Sequence, residues 1–205
     1  MWSSPKKDCG ACGSRTCDDF EMRLKEGRVR PADCPFHKEG NPILSVADSN
    51  VYTGTDIIGQ PYDFIISPLP GEPSARKIVL PFRPDMTEKM NISPGDIVLG
   101  RPAGAGCPVQ HVIRVMRTDN ITGVITGHVV SPQFARDGIV KDIREYHMLG
   151  FEGIASEKRK EPQFGKRHYF LPGSCMMHRA HTGLVSMVIE KPYGTQIRIE
   201  DIIIL

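Results

Sequence analysis

No run of about 18 apolar residues occurs anywhere in the chain, which excludes a membrane-spanning helix of ordinary length. No apolar leader follows Met1-Trp2-Ser3-Ser4-Pro5-Lys6-Lys7, so no secretory signal is read there and a cytoplasmic location is expected. Charge of one sign is missing too. The 26 basic residues stand against 24 acidic ones, too even a balance to draw the protein onto nucleic acid or an anionic membrane. No Rossmann-type glycine fingerprint appears, and there is no CxxxCxxC radical-initiating triad or readable Ser/His/Asp arrangement. Hydride-transfer, radical and serine-nucleophile chemistry therefore leave no trace, although catalysis of another kind is not excluded.

What the chain does have is four cysteines near its start. Cys9, Cys12, Cys17 and Cys34 follow the spacing C-x2-C-x4-C-x16-C, which does not recur. Thiolates this dense repel one another and oxidise unless a cationic centre holds them, so they read as metal ligands. Disulfides would suit a secreted chain better than a reducing compartment. Cys9-Gly10 and Cys12-Gly13 place a glycine after each ligand, which allows positive φ and brings amides towards sulfur. A short helix is expected from Cys17 to about Glu26, with Asp18 and Asp19 at its positive end and Gly27 as its stop. Cys17, Phe20 and Leu24 would share its inner face, and Glu21 and Lys25 would pair on the outside. Pro35 stiffens the exit from Cys34. A structural zinc site also uses four cysteines, but it usually pairs two short-spaced knuckles. One knuckle, a helix-borne third ligand and a distant fourth favour an iron-sulfur cluster.

The stretch resembles the small 4Fe-4S domain of the corrinoid iron-sulfur protein of acetyl-CoA synthase/CO dehydrogenase systems, found also in the B subunit of Rnf-type complexes. The resemblance rests on Pro5, Cys9-Gly10, Cys12-Gly13, Cys17 with Phe20, Leu24, Gly27 and Cys34-Pro35, and covers residues 1–40. It implies a [4Fe-4S] cluster on Cys9, Cys12, Cys17 and Cys34, in anaerobic one-carbon or low-potential electron metabolism. Glu21 departs from the small residue usual in that family.

The 205 residues allow one moderate domain plus a small appendage. The fold class expected is α+β: a small irregular and helical module at 1–41, then a mostly antiparallel, barrel-like β domain at 42–205. The hinge between them is placed at 37–42. Strand-like runs are read at 43–47, 63–66, 77–80, 97–100, 112–116, 121–130, 146–154, 168–171, 183–190 and 195–205, separated by proline- and glycine-rich turns. Ser93-Pro94-Gly95-Asp96 is a turn into a strand. The basic loop containing Lys158, Arg159, Lys160, Lys166 and Arg167 is read as solvated surface. The loop 100–108 could offer amides to an anion but lacks the rest of a nucleotide motif.

A second constellation consists of Cys107 with His111, and Cys175 with His178 and His181, joined by His128. These soft and borderline ligands suit a transition metal or, for the two cysteines, a redox pair; the bland account is buried small cysteines and hydrogen-bonded histidines. Three functions stay in view: a carrier passing single electrons to a larger redox partner, an accessory or assembly factor with a structural or sensing cluster, and an enzyme whose Cys107/Cys175/His site is fed by the cluster.

Overall fold

The computed structural model describes residues 4–6, 8, 10, 12–34, 36, 53–103, 106–136 and 138–204. The strand-like run at 43–47, the hinge at 37–42 and Cys9 lie outside the described residues. Helix α1 (Cys17–Lys25) is followed by a 3-10 turn at Pro31–Asp33, and two single-turn helices, α2 (Met86–Lys89) and α3 (Gln133–Arg136), sit among the strands. The strands are β1 (Phe64–Ser67), β2 (Arg76–Pro81), β3 (Ile97–Pro102), β4 (His111–Thr118), β5 (Ile125–Val129), β6 (Val140–Ser156), β7 (Arg167–Pro172), β8 (His181–Lys191) and β9 (Gly194–Ile204).

The architecture turns on β6. Its 17 residues are too long for one partner, so successive stretches pair with different strands. Residues 140–146 run parallel to β3, residues 146–152 antiparallel to β2, residues 150–154 antiparallel to β9, and residues 154–156 antiparallel to β1. Among the described residues the strands form one mixed sheet in the order β1-β7-β8-β9-β6-β2-β5-β4-β3, and the β1–β6 and β3–β6 pairings bring both ends back to β6. The antiparallel expectation is met apart from two parallel pairs, β1 with β7 and β3 with β6. The α+β class is met, and the strands expected to be barrel-like form one mixed sheet whose two ends both pair with β6.

Each half of β6 serves its own core. Ile143 and Tyr146 pack with Val79, Val98, Ile113 and Ile125, whereas Phe151 and Ala155 pack with Phe64, Phe170, Val185 and Ile197. Met148 touches both clusters. Every Ile, Val or Phe fully buried in this way contributes roughly 1.5–3 kcal/mol of transfer free energy. Where β6 meets β1 the fit is close: a Cβ on Gly153 would stand 2.3 Å from the carbonyl oxygen of Ser67. Gly153→Ala is therefore expected to cost about 1–3 kcal/mol by overpacking, read as a lower urea midpoint. An unchanged midpoint would show that the β1 edge is free to move.

Several local readings hold. Gly95, at φ +93, closes the turn before β3, and Asp96 Oδ2 accepts from the Ser93 amide at 2.7 Å. The 112–116 segment is strand, as preferred over helix. The run at 121–130 becomes strand only from Ile125, because Asp119 and Thr122 tie residues 119–124 into a turn. In the basic loop Lys158 pairs with Glu161 and Lys160 with Asp63, while Arg167 pairs with Asp201. Of these, the Arg167–Asp201 pair is exposed on both sides and contributes little to stability, whereas Asp63 is buried.

Candidate functional site

Thr16 starts α1 by accepting the Asp19 amide on its hydroxyl at 3.0 Å, a cap not anticipated from the sequence although Thr is a favoured N-cap. Gly27 at φ +70 ends the helix as expected, and Glu21 and Lys25 pair at 2.9 Å on its outer face. Its inner face buries Cys17 and Phe20. Cys34 arrives from the 3-10 turn and is also buried. Cys12, Cys17 and Cys34 line one small cavity with Asp8, Gly10 and Phe20. Gly10 and Gly13 take φ +73 and +78, the conformations their place after a ligand called for.

Donors and acceptors around that cavity are arranged locally. The Asp8 carboxylate accepts from the Cys17 amide at 2.6 Å, and Arg23 reaches back to Gly13 O and Ser14 Oγ at 3.1 and 2.8 Å. The Cys12 thiol is pushed up chiefly by burial, and further by the Cys34 and Cys17 sulfurs, while the Ser14 amide aimed at its sulfur opposes the shift. Close thiols facing backbone amides are the donor set a cluster takes, since hydrogen bonds to sulfur tune such centres. Three of the four expected ligands thus line one cavity, without being gathered as a trio that could hold a single metal ion. Two contacts tie the module to the sheet: the Phe134 ring presses on Gly10, where a Cβ would fall 2.0 Å from Cε2, and Arg114 donates to Arg15 O at 3.2 Å.

A second cavity lies at the junction of the two cores, where the ends of several strands converge. Lys77 of β2, Cys107 and His111 at the entry to β4, Met148 and Phe151 of β6, Cys175 beyond β7 and His181 at the start of β8 all line it. The expectation that the Cys107 loop meets the Cys175 loop matches this arrangement. Two of the expected members do not line it. His128 lies one residue before Val129, which does line the cavity, so strand alternation turns it to the opposite face, where its Nδ1 lies 3.1 Å from Ser74 O. His178 sits in the turn after Cys175 at φ +48. Among the described residues no three His, Cys, Asp or Glu side chains are placed to hold a single metal ion. A lysine, which no cysteine-histidine pattern predicts, lines this cavity with them.

Lys77 is 1 % exposed. Its Nζ donates to Tyr146 Oη at 2.6 Å and lies 2.8 Å from His111 Nδ1, and Tyr146 Oη is itself 2.6 Å from that nitrogen. Burial lowers the Lys77 amine to about 7, against the opposing pull of Cys107 and Cys175. Burial also lowers His111 to about 3 and His181 to about 4, both helped by the Lys77 charge. The Tyr146 hydroxyl is raised, so it stays protonated. Met148 and Phe151 are three apart and would face opposite sides of a regular strand. A register shift between Ile78↔Gly150 and Val79↔Met148 skips Leu149 and lets both reach the cavity, the usual service of a β-bulge beside a site.

The chain is 32 % identical to "Uncharacterized protein MJ0119" of Methanocaldococcus jannaschii, over 97 % of this chain and 88 % of that protein. A family model described as "Putative Fe-S cluster" matches residues 5–36. A shorter match, 48 % identical over 31 residues, is to the acetyl-CoA decarbonylase/synthase complex subunit gamma of Methanopyrus kandleri. It spans 15 % of this chain and 7 % of that subunit. No solved structure matches the chain. The N-terminal stretch is therefore a small iron-sulfur domain of the family its cysteine spacing resembles, and among the described residues no helix is long and apolar enough to cross a membrane.

Proposed function

Because the chain belongs to the family of the Methanocaldococcus jannaschii protein MJ0119 and carries an iron-sulfur domain at residues 5–36, we propose that it is a cytoplasmic [4Fe-4S] protein passing single electrons to or from a larger redox enzyme. Cys9, Cys12, Cys17 and Cys34 hold the cluster in a module of residues 1–41, and the β-rich domain of residues 42–205 is the platform on which the partner docks. The observation that carries this reading is the convergence of Cys12, Cys17 and Cys34 on one cavity backed by Phe20. When bound, the cluster supplies a one-electron couple. The chain's own residues bury it, screen it with Phe20 and direct amides such as that of Ser14 towards sulfur. The likeness to the gamma subunit of a decarbonylase/synthase complex supports a protein partner.

Anaerobic titration with dithionite, followed by EPR and by bleaching of the visible absorption, tests the carrier role. A cluster that reduces and reoxidises reversibly is the expected result. A cluster that refuses reduction, and whose removal unfolds residues 1–41, would instead make it the structural or sensing centre of an accessory factor.

A further inference from the structure

The junction cavity holds a chemical group that electron transfer does not use. Buried ammonium groups are ordinarily paired with an acid, yet among the described residues no carboxylate contacts Lys77. Its neighbours are the Tyr146 phenol, the Phe151 ring 5.9 Å from Nζ, a neutral imidazole and two thiols. The assignment that satisfies all three polar atoms has Lys77 donating to Tyr146 Oη and the Tyr146 proton donated to His111 Nδ1. A neutral Lys77 amine then keeps its lone pair free of these two partners. That space is about 30 Å³, room for two or three waters. Cys107 and Cys175, both half-buried, line it with Ser174 and His181, and Val129, Pro102, Pro172 and Ile204 give the wall its apolar part.

We propose that this cavity is a carbonyl-binding site in which the Lys77 amine forms a Schiff base with a small aldehyde or 2-oxo acid. A desolvated lysine beside a proton donor is the arrangement that amine nucleophiles require. Nζ adds to the carbonyl carbon and the C–N bond forms. Tyr146 gives its proton to the carbonyl oxygen and recovers one from nitrogen. The second nitrogen proton follows, so the oxygen leaves as water and the imine remains. No oxidant or reductant is consumed. The small volume selects carbonyl compounds of a few heavy atoms. Burial favours the free amine of Lys77 near neutral pH, whereas an exposed lysine is free amine to well under 1 %.

The test uses the full chain, glyoxylate as the carbonyl probe and cyanoborohydride as the trap at pH 7, followed by peptide mapping. Lys77 is expected to acquire the carboxymethyl group at least tenfold faster than exposed lysines such as Lys25 and Lys89, a preference that vanishes in denaturant. Tyr146→Phe should slow trapping at Lys77 several-fold while labelling of surface lysines stays constant. Label spread over the exposed lysines, with Lys77 unmodified or no faster than they are, overturns the proposal on the wild-type chain alone. The cluster does not enter this readout, so the outcome is independent of the electron-transfer reading.

Discussion

Anaerobically purified Cys17→Ser or Cys34→Ser protein is expected to lose nearly all of its iron and visible absorption. Both cysteines are buried against the same small cavity, and serine offers a harder, more basic oxygen in place of a thiolate. Loss of a group that merely orients a metal ligand costs roughly 10–100-fold in affinity, and loss of a ligand itself should exceed that. The damage should stay local. Phe20 loses the cluster it shields, and the loop that rests on Phe134 through Gly10 loosens, whereas the two cores flanking β6 contain none of these cysteines. Circular dichroism of the strands should therefore persist. Cys107→Ser and Cys175→Ser provide the contrast: their iron content should match wild type, since both line the junction cavity instead. Iron retained in Cys17→Ser, or lost in Cys175→Ser, would place the ligands elsewhere.

The second large effect concerns Lys77. Its amine is lowered from 10.5 to about 7 by burial, so between those values the unfolded chain binds a proton that the native chain does not. Stability from this group accordingly rises with pH across the window of about 7 to 10.5 and is flat on either side. The groups facing Lys77 are Tyr146, His111, His181, Cys107 and Cys175, with the Phe151 ring 5.9 Å from Nζ; the two cysteines oppose the lowering, and burial outweighs them. Lys77→Met removes the titration while keeping much of the volume. The stability of wild type relative to this variant should climb by about 3–5 kcal/mol from pH 7 to pH 10.5, measured by urea unfolding. At pH 7 the variant should be nearly as stable as wild type despite leaving Tyr146 and His111 without their amine partner. A difference that does not vary with pH would mean that Lys77 is solvated and charged in the folded chain.

The cysteine module was legible because its information is local. Ligand spacing, glycines after ligands, the helix stop at Gly27 and the Glu21–Lys25 pair all act within a few residues, and the described structure has those it covers. Strand positions were legible for the same reason, since alternation and turns are short-range signals. Pairing was not. That β6 serves β1, β2, β3 and β9 in turn depends on its length and on a bulge at Leu149, neither of which its composition announces. The junction cavity was half visible. Cys107, His111, Cys175 and His181 carry a ligand-like pattern and do come together, but His128 fails because the odd-even parity of β5 turns it away. Lys77 was missed altogether. Within Lys77-Ile78-Val79-Leu80 it reads as the polar start of a strand, and its partner Tyr146 lies 69 residues along the chain.

The central claim is that the N-terminal cysteines hold an iron-sulfur cluster. Metal and labile-sulfide analysis of the anaerobically isolated full chain, together with its Mössbauer spectrum, tests it most directly. Iron and sulfide in equal amounts, with the spectrum of a four-iron cluster, is the predicted result. Stoichiometric zinc with no sulfide would contradict it.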